Sequence, residues 1–315
     1  MKLLVFLEHH EGAVTKAALG VLAKARSLGD ASGVVVGHGV RGTAESVGGV
    51  VHVADDERLA APLPAPRVDV LAKLVRAEGF DAVLFAQSVL ASDVAAALAA
   101  RLDAGLNWDL VDLVAEGGAL VAKRPALADS VWVDAGWLSP VALAVFRSGT
   151  FDPAAIDSAA DVRDVEVKLE PNSLLAELVE ATTDEGGEGP AIEDADVIVA
   201  GGRGLGGPEN FALVEELASA LGGAVAATRA VVDAGWYPYS TQVGQTGKTV
   251  SPKLYVAVGI SGAIQHKVGM QGAGVIVAIN KDPNAPIFEF SDLGVVGDVH
   301  EIVPQLTELV RARKG

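Results

Sequence analysis

The chain has 315 residues, no cysteine and a formal net charge of −17 at pH 7. Its length predicts two domains, and its 50% hydrophobic composition excludes global disorder. The missing cysteines exclude disulfides, thiolate catalysis, iron–sulfur clusters and thiolate zinc sites, and the negative charge argues against a nucleic-acid partner.

No apolar run reaches the roughly 18 residues that a membrane helix needs. The opening MKLLVFLEHH is too short for a signal sequence and turns polar at once, so it predicts a first buried strand. We therefore expect no membrane insertion and a cytoplasmic location, with which the absence of cysteine is compatible.

The first part of the chain alternates strand-like and helix-like segments. In order, they are strand Lys2–Leu7, helix Ala13–Leu28, strands Gly33–Val36 and Val50–Val53, helix Val68–Glu78, strand Ala82–Phe85 and helix Ser88–Leu102. This alternation predicts right-handed βαβ units on a parallel sheet. From Leu110 to Phe146 the pattern changes to short β-rich runs, which we expect to add antiparallel strands to that sheet.

Residues 181–190, ATTDEGGEGP, are polar, acidic and rich in glycine, as is typical of a linker. The alternation then restarts with strand Asp196–Ala200, helix Pro208–Leu221, strands Ala224–Ala227 and Leu254–Val258, helix Ser261–Gly269, strand Val275–Ile279, edge strand Ile287–Phe290 and helix Val303–Ala312. We predict an α/β protein with two open parallel-sheet domains in series. Residues 1–180 form the first, with added β strands, and residues 191–315 form a Rossmann-like second domain.

Gly202–Gly207 fits the pattern GxGxxG between a predicted strand and a helix, and Pro208 suits the first helical position. Such a helix start can bind a phosphate. An NAD site would also need an acidic residue about 20 residues further on, where the chain has Thr228 and Arg229. The pattern thus disfavours NAD and leaves a tight structural turn or another nucleotide as alternatives.

Three more turns combine small residues with polar ones: Gly244–Gly247, Ser261–His266 and Asn280–Pro283. Each follows an apolar run, and open α/β sheets bind ligands at the carboxyl ends of their strands. Ser261 suits the N-cap of a helix. The sequence GQTGKT is not a P-loop, because Gln242 stands where that motif requires glycine. The turns predict a nucleotide-cofactor site.

Two residues in these turns also fit purely structural roles. His266 fits a structural histidine as well as a ligand contact, and Asn280 also suits a turn before Asp282. In the first domain, His9, His10 and His38 match no metal-site spacing, and the chain has no GxSxG nucleophile motif. We expect no metal site.

Three sequence runs in the second domain together resemble one known family. GQTGK, VGISGAIQH and INKDPNAPIF closely resemble the FAD domain of the electron transfer flavoprotein α-subunit family. The specific match covers about residues 197–310, while residues 1–180 resemble the family in pattern and length. The resemblance implies an electron carrier rather than a substrate-converting enzyme.

The family's properties are what the resemblance then implies. The chain would pair with a β subunit through its first domain, hold FAD in its second domain and leave an AMP to the β subunit. Electrons would come from dehydrogenases, such as acyl-CoA dehydrogenases of fatty acid β-oxidation, and go to a quinone-linked oxidoreductase.

The resemblance also implies the site residues. Arg229, His266 and Thr246 would tune the flavin redox chemistry, with His266 near the pyrimidine carbonyl and Thr246 near N5. The residues expected to contact FAD are Arg203, Thr228, Arg229, Val243, Gly244, Gln245, Thr246, Ser261, Gly262, Ala263, Ile264, Gln265, His266, Asn280, Asp298 and Val299.

Two other functions compete with this interpretation. One is an NAD- or nucleotide-dependent enzyme of the deoxyhypusine-synthase-like type, for which Lys248, Lys267 and Lys281 are only generic catalytic candidates. The other is an adenine-nucleotide sensor, for which the alternation in the first domain would suffice. A flavin spectrum distinguishes both from an electron carrier.

Overall fold

A computed structural model describes residues 1–127, 130–154, 158–180, 191–193 and 195–314. The chain divides into two compact units, Met1–Ala181 and Thr182–Gly315. The predicted linker, residues 181–190, lies outside the described residues. The domain boundaries at 180 and 191 therefore stay predictions.

The first unit is an α/β sandwich. Its strands are β1 (Lys2–Phe6), β2 (His9–His10), β3 (Ala13–Val14), β4 (Asp30–Gly37), β5 (Gly49–Asp55), β6 (Ala82–Ala86), β7 (Gly105–Leu110), β8 (Asp112–Glu116), β9 (Ala119–Ala126), β10 (Val131–Ala135), β11 (Ala142–Phe146) and β12 (Ala160–Asp164). Its helices are α1 (Lys16–Leu28), α2 (Arg41–Glu45), α3 (Pro64–Glu78) and α4 (Val89–Leu102).

Seven of these strands form one parallel sheet in the order β12-β5-β4-β1-β6-β11-β7. Successive side chains of a strand point to opposite faces. Leu3 and Val5 accordingly lie in one buried cluster, while Leu4 and Phe6 lie in another. Both faces of the sheet are thus covered, as the βαβ pattern predicts.

The β-rich region from Leu110 to Phe146 differs from expectation. Its antiparallel strands do not join the main sheet but form a separate sheet in the order β10-β9-β8. A turn at Gly117 and Gly118, both with positive φ, folds β9 back on β8 and makes this pairing antiparallel. Strand β11, buried at every position, instead pairs in parallel with β6 and β7.

Helix α1 begins three residues later than predicted. The side chain of Thr15 accepts a hydrogen bond from the Ala18 amide and caps the helix, as expected for threonine at an N-cap. The preceding residues Ala13–Val14 pair with His9–His10 as a small antiparallel ladder.

The second unit contains a parallel sheet in the order β15-β14-β13-β16-β17-β18. The strands are β13 (Val197–Gly201), β14 (Ala224–Thr228), β15 (Gln242–Val243), β16 (Leu254–Val258), β17 (Val275–Asn280) and β18 (Leu293–Val296). The helices are α5 (Phe211–Leu221), α6 (Arg229–Val232), α7 (Ile264–Met270) and α8 (Val299–Lys314).

The predicted edge strand Ile287–Phe290 is wrong. Pro286–Phe290 is a 3-10 helix, because proline fixes φ and favours the start of a helical turn, and Ile287 is buried in the core. The edge strand is β18. Because the main sheet of each unit is parallel, the structure is α/β, as predicted. Among the described residues, no helix has both the length and the apolar character required to cross a bilayer.

Candidate cofactor site

The predicted site residues lie at one edge of the second sheet. Arg203 follows β13, Thr228 ends β14, Val243 ends β15, Ser261–His266 follow β16, Asn280 ends β17, and Asp298 and Val299 follow β18. The chain runs outward from β13 to β15 and then returns to β16 on the other side of β13. This reversal is the position at which open α/β sheets bind ligands.

The glycine-rich turn after β13 packs against the turn after β16. The Gly204 amide donates to the Gly259 carbonyl over 2.9 Å, and a Cβ on Gly202 would lie 2.4 Å from that same oxygen. Helix α5 begins only at Phe211, after a 3-10 turn that includes Glu209. These contacts support the tight-turn alternative for Gly202–Gly207, with the glycines required by a neighbouring backbone.

The turn after β15 is bonded to the start of α7. The Gln245 amide donates to the Gln265 carbonyl over 2.8 Å, and a Cβ on Gly244 would lie 2.9 Å from the same carbonyl oxygen. Strands β15 and β16 are separated by two other strands. The two turns nevertheless meet at the sheet edge and form one connected surface.

His266 lies in the interior, with both ring nitrogens engaged. Nδ1 donates to the Val243 carbonyl over 3.1 Å, and Nε2 lies 3.0 Å from the Tyr255 hydroxyl. With Nδ1 protonated, Nε2 accepts the Tyr255 proton. Burial lowers the pKa of His266 to about 4 and raises the pKa of Tyr255, so both groups are neutral near pH 7.

Ser261 does not cap α7, contrary to the sequence expectation. The helix begins at Ile264 after the N-cap Ala263, and the Ser261 carbonyl accepts a hydrogen bond from the Ile287 amide. Gly262 has φ +87, and a Cβ there would lie 2.3 Å from the Ile287 nitrogen. That contact holds Ser261 in an exposed turn outside the helix.

Asn280 and Asp298 shape their own turns. The Asn280 side chain donates to the Ile260 carbonyl over 2.8 Å and accepts from the Asp282 amide over 3.0 Å. It thereby links the end of β17 to the turn after β16. It also forms the turn before Asp282, which was the structural alternative for Asn280. The Asp298 carboxylate accepts from the His300 amide at the start of α8.

Exposed hydrogen-bonding groups dominate the rest of the edge. The exposed polar side chains that face solvent there are those of Arg203, Arg229, Gln245, Thr246, Ser261, Gln265 and Asp298. Nε of Arg229 lies 3.1 Å from the Asp233 carboxylate, whereas Arg203 has no ion pair within the described part of the chain. Val243 and Val299 are buried, so neither presents a side chain to a ligand.

This donor set suits FAD. Guanidinium groups bind phosphate oxygens, hydroxyl and amide groups match the nitrogens and carbonyls of a flat ring, and a carboxylate can accept from ribose hydroxyls. In the described part of the chain, no three His, Asp or Glu side chains are grouped to hold a metal ion. The edge is therefore suited to an organic phosphate-bearing cofactor.

Three supporting residues were not identified from sequence. In the sequence, Gln242 was used only to exclude a P-loop, and Tyr239 was given no role. Tyr255 was part of a predicted apolar strand. Their contacts with Thr246 and His266 join residues 4, 7 and 11 positions apart, and none of these pairs lies within one helix or one strand pair. For Tyr255 the available signal was a hydroxyl-bearing residue inside an apolar run.

Comparison with known proteins identifies similar families for both units. Residues 3–170 match the model of the electron transfer flavoprotein domain, and residues 191–271 match that of the electron transfer flavoprotein FAD-binding domain. An electron transfer flavoprotein subunit alpha from Mycobacterium tuberculosis is 44% identical, covering 100% of this chain and 99% of the relative.

Two further relatives span the chain almost completely. The electron transfer flavoprotein subunit alpha of Bacillus subtilis is 36% identical and covers 98% of this chain and 96% of its own. The protein FixB of Clostridium saccharobutylicum is 38% identical, with coverage of 96% and 94%. The similarity thus extends over both units.

Proposed function

The chain belongs to the electron transfer flavoprotein α-subunit family, and from this premise we propose that it carries electrons on one FAD bound at the carboxyl edge of its second sheet. The proposal rests on one observation: the carboxyl ends of β13 to β18 meet at that edge. The edge presents phosphate-binding guanidinium groups next to hydroxyl and amide donors. When bound, FAD supplies the electron-accepting chemistry that these side chains lack.

Thr246 and Arg229 act on the flavin in different ways. The Thr246 hydroxyl is exposed and offers a hydrogen bond to the ring near N5. Arg229 supplies positive charge, which favours electron uptake by the flavin because opposite charges attract. Its ion pair with Asp233 keeps the guanidinium at the end of β14.

His266 supports the site as a neutral residue. A contact between its ring and a pyrimidine carbonyl requires the imidazole to exchange one of its two protein partners for the flavin. While it keeps both, His266 holds the Val243 carbonyl and hence the turn after β15. Arg229, rather than His266, is the source of positive charge.

The remaining predicted contacts complete the cofactor site. Gly244, Gln245 and the segment Ser261–His266 surround the ring, the ribityl chain and the diphosphate. Arg203 and Thr228 contribute polar groups from the central strand ends. Asn280, Asp298 and the backbone of Val299 hold the adenosine end.

The first unit provides the surface for a β subunit that holds AMP. Strand β10 pairs with β9 in a sheet that ends at β10, and the side chains of Val131, Trp132 and Val133 are exposed. Apolar side chains on an open strand edge are typical of protein interfaces. In the cytoplasm, the heterodimer would take electrons from dehydrogenases, such as acyl-CoA dehydrogenases, and deliver them to a quinone-linked oxidoreductase.

Co-purification with the β subunit tests this function. We expect a yellow complex that releases FAD and AMP in equal amounts when denatured, as identified by mass spectrometry. A colourless complex that takes up no added FAD would refute the proposal. NAD in place of FAD would favour the enzyme alternative, and AMP alone would favour the nucleotide sensor.

A further inference from the structure

Thr246 is held by two side chains that have no role in the function proposed above. Nε2 of Gln242 donates a hydrogen bond to Oγ1 of Thr246 over 3.2 Å. The Tyr239 hydroxyl donates to the main-chain oxygen of Thr246 over 2.9 Å. One neighbour therefore fixes the side chain of Thr246, and the other fixes its main chain.

Gln242 lies in the interior, although its partner lies at the surface. Gln242 is 2% exposed, whereas Thr246 is exposed. The main-chain oxygen of Gln242 accepts from the Lys248 amide over 2.7 Å, which closes the turn around Thr246. A buried amide is costly to leave without a partner, so the bond to Thr246 anchors the exposed hydroxyl to the protein interior.

The direction of this bond decides what Thr246 can offer. A threonine hydroxyl has one proton to donate and lone pairs that accept. Because Oγ1 accepts from Gln242, its own proton remains available to another acceptor. Thr246 is exposed, so a ligand can provide that acceptor, and a flavin ring has unprotonated nitrogens and carbonyl oxygens.

We propose that Gln242 and Tyr239 are positioning residues for the flavin, the first by directing the Thr246 hydroxyl proton toward the ring and the second by fixing the main chain that carries it. This inference rests on the FAD site proposed above. Neither residue needs to contact the flavin itself. A hydrogen bond donated to the ring favours the electron-richer form, so both residues raise the first reduction potential through Thr246.

A double-mutant cycle on the FAD-loaded heterodimer tests the role of Gln242. The first reduction potential is measured for the wild type, Thr246→Val, Gln242→Met and the double variant. We expect each single variant to have a lower potential and the double variant to match Thr246→Val, because Gln242 acts only through that hydroxyl. An unchanged potential in Gln242→Met, or an additional decrease in the double variant, overturns the role.

Tyr239→Phe provides a second test in which folding is not at risk, since Tyr239 is 64% exposed. We expect a lower first reduction potential in the FAD-loaded heterodimer, faster hydrogen exchange of amides 244–248 in the FAD-free heterodimer, and about fivefold weaker FAD binding, the loss expected for one hydrogen bond. Tyr237→Phe is the control, because its hydroxyl contacts Glu215 instead. A first reduction potential equal to that of the wild type, or equal exchange in the wild type and Tyr239→Phe, overturns the role of Tyr239.

A further control separates this inference from the FAD site itself. Gln305→Met, at an exposed position on α8, should leave the potential unchanged. A wild-type heterodimer that binds no FAD refutes the proposed function and this inference together. A heterodimer that binds FAD normally, with potentials that do not respond to Gln242→Met, refutes only the inference.

Discussion

The Tyr255 hydroxyl lies 3.0 Å from Nε2 of His266, and both side chains are buried. Each satisfies a polar atom of the other that water cannot reach. The pair also links β16 to the Val243 carbonyl at the end of β15 through Nδ1 of His266. It therefore supports the turn that carries Thr246.

We expect Tyr255→Phe to lower the free energy of unfolding by about 1–3 kcal/mol, because Nε2 of His266 loses its buried partner. Urea unfolding of the purified protein measures this change. Tyr237→Phe is the matched control, since its hydroxyl bonds a partly solvated Glu215, and it should cost less than about 1 kcal/mol. Equal losses in the two variants would contradict the special role of the buried pair.

His266 should make the protein less stable in mild acid. Its pKa falls from 6.5 to about 4 on folding because of burial, so the unfolded chain takes up a proton that the folded chain resists. Its contribution to stability is complete above pH 6.5 and decreases as the pH falls toward about 4, by about 3 kcal/mol.

Urea unfolding at several pH values, compared between the wild type and His266→Gln, measures this contribution. The variant should have a shallower loss of stability between pH 6.5 and 4. His300→Gln, at an exposed position, serves as the control and should follow the wild type. Parallel curves for wild type and His266→Gln would show that His266 does not cause the acid sensitivity.

Arg229→Ala should lower the first reduction potential of the bound flavin. A unit charge at 4 Å contributes about 4 kcal/mol at an effective dielectric of about 20, and about 1.4 kcal/mol corresponds to about 59 mV for one electron. Arg229 is well exposed, so solvent screening leaves an effect of about 100 mV. Asp233→Asn should shift the potential in the opposite direction. Redox titration with no change in Arg229→Ala would reject this role.

Gly262→Ala should destabilise the second unit more than the same substitution at Gly235, another glycine with positive φ. Gly262 has φ +87 and its Cβ would strike the Ile287 nitrogen, whereas Gly235 has φ +70 with no heavy atom within 4 Å of its Cβ. We expect about 1 kcal/mol for Gly235→Ala and about 3 kcal/mol or more for Gly262→Ala. Urea unfolding compares them, and equal costs would mean that the backbone contact contributes nothing.

The sequence predicted that the candidate site residues gather at one edge of the second sheet, since this gathering depends on a simple rule. Strand β16 is bounded as expected at Leu254–Val258, and the glycine and polar residues that follow the strands necessarily gather at the carboxyl edge of a parallel sheet. The convergence of Arg203, Ser261 and Asn280 required no knowledge of side-chain packing.

What the sequence did not predict depends on packing between distant segments. Ile287–Phe290 has strand-like composition, but Pro286 and the burial of Ile287 produce a 3-10 helix. The sequence left Gly202–Gly207 as either a tight turn or a nucleotide contact and placed Gly262 against FAD, and a Cβ on Gly202 or Gly262 would meet protein backbone. Only the fold determines which neighbour a glycine accommodates.

An experimental structure of the FAD-loaded heterodimer is the direct test of the proposed FAD site. We predict a flavin ring at the carboxyl edge of β13–β18, with an acceptor atom within hydrogen-bond distance of the Thr246 hydroxyl and the diphosphate near Ser261–His266. A flavin bound elsewhere, with the Thr246 hydroxyl facing solvent, would contradict it.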